Sequence, residues 1–109
     1  MNVELLWWAG CPSTERALAE LREALAELGL DDTDVRMTEI ATDAEASTAG
    51  FAGSPTILVD GTDVVPADDA IGLSCRVYRR RDGRVSPTPD PEDLRDALRG
   101  ASAPTEVNR

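Results

Sequence analysis

The amino-acid sequence predicts an α/β fold built on a mixed sheet of about four to five strands, and three observations carry that prediction. A largely apolar, strand-forming run from Val3 to Ala9 stops at Gly10 and gives way at once to helical spacing. A β-branched run, Thr56 to Val59, ends in the hairpin dipeptide Asp60-Gly61 and resumes from Thr62 to Val65. The 109 residues are the size of one domain, enough to bury a core without disulfide staples.

The elements follow in order. Val3 to Ala9 has the continuous apolar character of a central strand covered on both faces. From Pro12, at the first helical position, Ala17, Leu18, Leu21, Ala24, Leu25 and Leu28 recur on one helical face. Glu15, Arg16, Glu20, Arg22, Glu23 and Glu27 take the other, and Gly29 supplies the stop. After an aspartate-rich turn, Val35, Met37 and Ile40 mark a second strand with one solvated face. Thr42 and Glu45 form a capping-box pattern opening a short helix through Ala49, closed by Gly50. The hairpin comes next, then a loop over Pro66 to Ile71, a short strand from Ser74 to Arg80 and a turn at Asp82-Gly83. The spacing of Leu94, Ala97 and Leu98 predicts a last helix over Pro91 to Leu98. The domain is expected to span residues 1–100, and the small, polar residues 101–109 to form a disordered tail.

Composition narrows the function. A net charge of −10, spread along the chain, repels phosphate backbones and anionic lipid, so neither nucleic acid nor a membrane surface is an expected partner. No apolar run approaches the ~20 residues of a membrane span, and the first residues lack the basic start of a secretory signal, so a cytoplasmic setting is expected. There is no histidine, and all eleven basic residues are arginine, as in the chains of high-GC bacterial genomes. Serine-histidine and cysteine-histidine dyads, histidine-ligated zinc and Schiff-base lysines are thereby excluded, leaving thiolate, carboxylate, hydroxyl, arginine and backbone dipoles for any chemistry. No cofactor is expected.

Two cysteines stand out against this background. Cys11 lies where the first strand turns into the first helix. Unpaired backbone amides and the positive end of the helix dipole there favour a thiolate, drawing its pKa below the roughly 8.5 of a free cysteine. Cys75 sits beside a cation, Arg76, in Gly72-Leu73-Ser74-Cys75-Arg76-Val77-Tyr78. Trp7 and Trp8 are neighbours on one strand, so their rings face opposite ways: one belongs to the core, and Trp8 is a candidate wall of the thiol pocket. Arg79, Arg80 and Arg81 read as a solvated turn flank.

The order strand, helix, strand, helix, hairpin, helix resembles a thioredoxin-like domain, a three-layer α/β/α sandwich. Cys11-Pro12-Ser13-Thr14 and Gly53-Ser54-Pro55-Thr56-Ile57 carry the resemblance. It implies that Pro55 is cis and lies against the active sulfur, and that Ser54 presents its backbone to a substrate. Pro12, Ser13, Trp8, Ser54 and Pro55 then line the binding site. Thr14 stands where a dithiol thioredoxin has its second cysteine. The motif therefore has a single thiol, with Thr14 as a hydrogen-bond donor to it and Cys75 as the candidate resolving thiol.

The chain is also similar to alkylmercury lyases, through Gly10-Cys11-Pro12, Gly53-Ser54-Pro55-Thr56 and Gly72-Leu73-Ser74-Cys75-Arg76 with Tyr78. That similarity implies that Cys11 and Cys75 converge on a soft metal and that a carboxylate, Glu15, Asp68 or Asp69, protonates the departing carbon. Three functions remain open. One is a thiol redox protein acting on a small or protein disulfide, the second a handler of soft metals or organomercurials, and the third a non-catalytic binding module. The two-thiol form of each of the first two requires the sulfurs of Cys11 and Cys75 to converge, which is the expected arrangement; in the redox function an external thiol is the alternative to Cys75 for resolving the adduct. An exposed sheet edge leaves either a monomer or a homodimer open.

Overall fold

The computed structural model describes residues 1–65 and 71–102. The expected loop over Pro66 to Ile71, apart from Ile71 itself, and residues 103–109 of the expected tail lie outside the described residues. So do the candidate proton donors Asp68 and Asp69.

The chain runs β1 (Val3–Trp7), α1 (Thr14–Glu27), β2 (Val35–Glu39), α2 (Asp43–Ala49), β3 (Thr56–Val59), β4 (Thr62–Asp63), β5 (Tyr78–Arg79), β6 (Val85–Ser86) and α3 (Pro91–Ser102). The first four strands form one mixed sheet in the order β2-β1-β3-β4, and β5 and β6 form a separate two-stranded ribbon. β1 is central, parallel to β2 and antiparallel to β3, with Leu5 opposite Met37 on one side and Ile57 on the other. The chain is thus mixed α/β, as expected, with four strands in the main sheet.

Alternation along β1 divides the core. Val3 and Leu5 join Ile57 and Val59 of β3 under Ala17, Leu21, Ala24 and Leu25 of α1 and Leu94 and Leu98 of α3. Leu6 points the other way and packs with Ile40, Ala46 of α2 and Phe51. The helical spacing read from the sequence therefore maps onto buried faces. The capping box forms as written: the Thr42 hydroxyl accepts the Glu45 amide at 3.1 Å, and the Glu45 carboxylate accepts the Thr42 amide at 3.2 Å. Asp60 and Gly61 both take positive φ, 52° and 83°, as a tight hairpin requires.

Several boundaries differ from expectation. α1 begins at Thr14 with Ser13 as its N-cap, so Pro12 precedes the helix and does not open it. β2 is an edge strand, and its Met37 is exposed. The expected strand over Ser74 to Arg80 shrinks to Tyr78–Arg79, paired with a β6 that the sequence pattern did not announce. Cys75 instead makes a single parallel bridge to Ser54. α3 continues past Leu98 to Ser102, the contact of Leu98 and Ala101 with the α1-side core carrying the helix beyond Gly100. No described helix is long and apolar enough to cross a membrane.

Candidate active site

Cys11 follows the carboxyl ends of the parallel strands β1 and β2, the end of an α/β sheet where ligands generally bind. A tight turn holds it there, its amide donating to the Trp8 carbonyl at 3.0 Å. Gly10 lets the Trp8 ring lie over this turn, since a Cβ at that position would sit 2.6 Å from the ring carbons and force the ring to move. The Cys11 side chain is buried, 7% exposed.

Burial alone would push the Cys11 thiol up, but donors around the sulfur outweigh it and hold the pKa below its ordinary value. They are, in order of effect, the Ser13 amide, the Ser54 hydroxyl, the Cys75 thiol and the Ser13 hydroxyl. The N-cap serine makes no side-chain bond to its own helix, which leaves its hydroxyl for the sulfur. Ser54 is oriented from below, its Oγ accepting the Trp8 amide at 3.1 Å. As a neutral thiol, Cys11 Sγ donates to the Ser54 carbonyl at 3.3 Å.

Cys75 titrates the opposite way. Its thiol is raised, first because it hydrogen-bonds the Cys11 sulfur, then by burial and by the charge on Cys11. The two cysteines, 64 positions apart in the chain, both lie against Ser54, Cys11 through its sulfur at 3.3 Å and Cys75 through a parallel bridge, with Cys11 buried and Cys75 exposed. They also ionise unequally: the buried sulfur takes the charge and the exposed one keeps its proton.

The segment carrying Cys75 is held in place by its neighbours. The Ser54 amide donates to the Ser74 carbonyl and the Arg76 amide donates to the Ser54 carbonyl, both at 2.8 Å. Arg76 and Tyr78 face inward while Cys75 and Val77 face out. The buried Arg76 guanidinium donates to Asp63 at 2.7 Å, to Thr56 Oγ1 at 3.2 Å and to the Val65 carbonyl at 2.6 Å, and it lies 4.4 Å over the Tyr78 ring. The Tyr78 hydroxyl donates to the Pro55 carbonyl. Gly53, at φ 122°, permits the crossing, since a Cβ there would be 3.0 Å from Arg76 Cβ. Arg76 is therefore a positioning residue whose cation serves Asp63, and the charge beside Cys75 does not lower that thiol.

Of the residues singled out in the sequence, Cys11, Cys75, Ser13, Ser54 and Pro55 come together, and the Ser54–Pro55 peptide bond is cis. Three assignments change. Thr14 Oγ1 is buried without a hydrogen-bond partner among the described residues, so the donors to Cys11 are Ser13 and Ser54 and not Thr14. The cleft beside Cys11, of about 430 Å³, is lined by Trp7, Ala9, Pro12, Thr14, Glu15 and Met37, so Trp7 takes the wall position expected of Trp8, whose ring covers Gly10 instead. The Ser54 backbone faces the chain's own Ser74–Arg76 segment, where the resemblance implied a substrate. The arginine run is engaged as well: Arg80 donates to Ser86 and Thr88, and Arg81 pairs with Asp93 and Asp96, tying the β5-β6 ribbon to α3.

The signal for Arg76 and Tyr78 lay in their spacing of two next to Cys75, which puts them on one face of an extended segment. No group of three or more histidine, cysteine or acidic side chains converges among the described residues. The two sulfurs suit a soft ion of low coordination number and not a closed tetrahedral zinc site. A larger cavity, about 790 Å³, opens at the other end of β1 and β2 between Asn2, Leu30, Asp34 and Arg36, away from the thiols. Set against protein-family models, curated proteins and solved structures, the chain matches none of them.

Proposed function

We propose that this chain is a thiol-disulfide redox protein of thioredoxin-like, three-layer architecture, in which Cys11 is the nucleophile and Cys75 the resolving thiol. The observation that carries the reading is that Ser54 gathers both thiols, its carbonyl accepting the Cys11 sulfur at 3.3 Å and its backbone bridging Cys75, while their pKa values are displaced in opposite directions. The Cys11 thiolate attacks one sulfur of a disulfide RS–SR, forming Cys11–S–S–R and releasing RS⁻, which takes up a proton from solvent. Cys75 then loses its proton and attacks the Cys11 sulfur, expelling the second RS⁻ and closing a Cys11–Cys75 disulfide. Two thiols are oxidised and one disulfide is reduced to two thiols. External small thiols reset the pair, so the reading belongs to a reducing compartment such as the cytoplasm.

The asymmetry suits each step. Cys11, with its pKa lowered, carries a larger share of thiolate than an ordinary cysteine at the same pH. Cys75 in turn becomes more acidic once Cys11 is held in the mixed disulfide, because the Cys11 thiolate that kept Cys75 protonated is gone. The single-residue variants test the assignment. In Cys11→Ser, turnover of a model disulfide falls to background. In Cys75→Ser, one equivalent of RS⁻ is released and the mixed disulfide on Cys11 persists in the mass spectrum. Undiminished turnover by Cys11→Ser contradicts the reading.

A second reading, cleavage of an organomercurial with both sulfurs on the metal, is favoured by one observation: Glu15 lines the cleft beside Cys11 and is the described carboxylate placed to deliver a proton. Loss of protonolysis in Glu15→Gln, with mercury still bound by both thiols, supports it. Full activity in either single-cysteine variant rejects it.

A further inference from the structure

Resting on the redox reading above, we infer that the substrate of Cys11 is a small-molecule disulfide admitted through the cleft between Trp7 and Met37, and not an extended peptide strand.

A peptide adds to a protein most readily where a backbone offers an unpaired amide and carbonyl to pair with, as at an open sheet edge. The backbone bonded to the Cys11 sulfur is that of Ser54, and both of its groups are in use. Its amide donates to Ser74 and its carbonyl accepts Arg76, each at 2.8 Å. The chain's own Ser74–Arg76 segment occupies the place of an incoming strand, with Cys75 opposite Ser54 in a parallel bridge. The segment is anchored firmly. Displacing it breaks the Arg76 bonds to Asp63, Thr56 and Val65, strips the buried guanidinium of its carboxylate, and pulls it off the Tyr78 ring. A substrate strand would have to match all of this before gaining anything.

Cys11 also lines a surface cleft. Trp7 and Met37 wall a cleft of about 430 Å³, within the range of small-ligand sites, with Thr14 and Glu15 as its hydrogen-bonding side chains. A small disulfide RS–SR entering here places one sulfur against the Cys11 thiolate. The S–S bond breaks, Cys11–S–S–R forms, and RS⁻ leaves through the cleft while Cys75 waits on the Ser54 side for the second exchange.

The test uses the full-length reduced protein and two neutral probes, bis(2-hydroxyethyl) disulfide and a disulfide of two ten-residue uncharged peptides joined through central cysteines. The rate of the first adduct on Cys11 is followed by mass spectrometry. The expected result is a rate at least tenfold higher for the small disulfide, relative to the rate of each probe with free cysteine. Arg76→Gln, which loosens the Ser74–Arg76 segment, narrows the gap by speeding the peptide. Met37→Trp, an exposed change that fills the cleft without touching that segment, slows the small disulfide at least fivefold and leaves the peptide rate unchanged. A peptide disulfide that reacts as fast as the small one in the unaltered protein, or a small-disulfide rate unaffected by Met37→Trp, overturns the inference and leaves the redox reading standing. Reaction with neither probe, while iodoacetamide still alkylates Cys11, overturns the redox reading itself and the inference with it.

Discussion

At the scale of single residues, the chemistry of Cys11 rests on hydroxyl and amide donors from two separate parts of the chain. Ser13 is local and Ser54 is 43 positions away. Removing the Ser54 hydroxyl in Ser54→Ala should raise the Cys11 pKa, since it takes away a hydrogen bond that favours the thiolate. Alkylation rate against pH reads this directly. Thr14→Ala should leave the same curve in place, since the Thr14 hydroxyl makes no bond to the sulfur.

The lowered pKa also has a consequence for stability. A thiol whose folded value lies below its unfolded one binds fewer protons in the folded state across the interval between them. Stability from Cys11 is therefore present above the unfolded value of about 8.5 and is lost as the pH falls through the folded value. The raised Cys75 value acts in the opposite sense, so the effect is cleanest in Cys75→Ser. There the urea midpoint should rise with pH below about 8.5, and the rise should disappear when Cys11→Ser is added.

At the scale of elements, the site is assembled by segments that are individually short. The Asp60-Gly61 turn returns β4 so that Asp63 reaches Arg76, Arg76 holds Ser74–Arg76 against Ser54, and that contact sets Cys75 beside Cys11. Gly53 is the crossing point. Gly53→Ala should cost about 1–3 kcal/mol for a side chain at φ 122°. Because its Cβ meets Arg76, it should also slow closure of the Cys11–Cys75 disulfide more than tenfold. Thr42→Ala in the capping box is a control on a helix that supplies no donor to either thiol, expected to cost ~1 kcal/mol with disulfide closure unchanged.

These segments also explain what the sequence could convey. β1, α1, the capping box of α2 and the β3-β4 hairpin announce themselves through local period and turn chemistry: Leu21 and Leu25 on one face, Thr42 with Glu45, Asp60 with Gly61. Cys11 and Cys75 were legible as reactive candidates from their settings. The partners of the thiol were not. That Ser54 rather than Thr14 serves the sulfur, and that Trp7 rather than Trp8 walls the cleft, depends on where β3 and β1 lie in three dimensions. The β5-β6 ribbon was hidden for a related reason: two residues a strand leave no period to read, and it is fixed by Arg80 and Arg81 reaching across to Ser86, Thr88 and α3.

At the scale of the whole molecule, charge selects among small substrates. The chain carries −10 in total, and Glu15 stands at the cleft. A cationic disulfide such as cystamine should therefore react with Cys11 faster than dianionic oxidised glutathione by tenfold or more at low ionic strength, after correction for the rates of each with free cysteine. The difference should shrink several-fold at 0.5 M salt, where charges more than a few ångströms apart are screened.

The same architecture makes the pair directional. The buried Cys11 is served by donors from the N-cap of α1 and the turn before β3, while the exposed Cys75 rides on a strap pinned by Arg76, so first attack and resolution fall to different sulfurs. The most direct test of that division is the alkylation of both thiols in the reduced protein as a function of pH, each site resolved by peptide mass spectrometry. Cys11 is predicted to ionise first, below the ordinary thiol range, and Cys75 only above it, with the Cys75 curve moving down once Cys11 is blocked. Equal ionisation of the two thiols, or Cys75 ionising first, would contradict the assignment of nucleophile and resolving thiol.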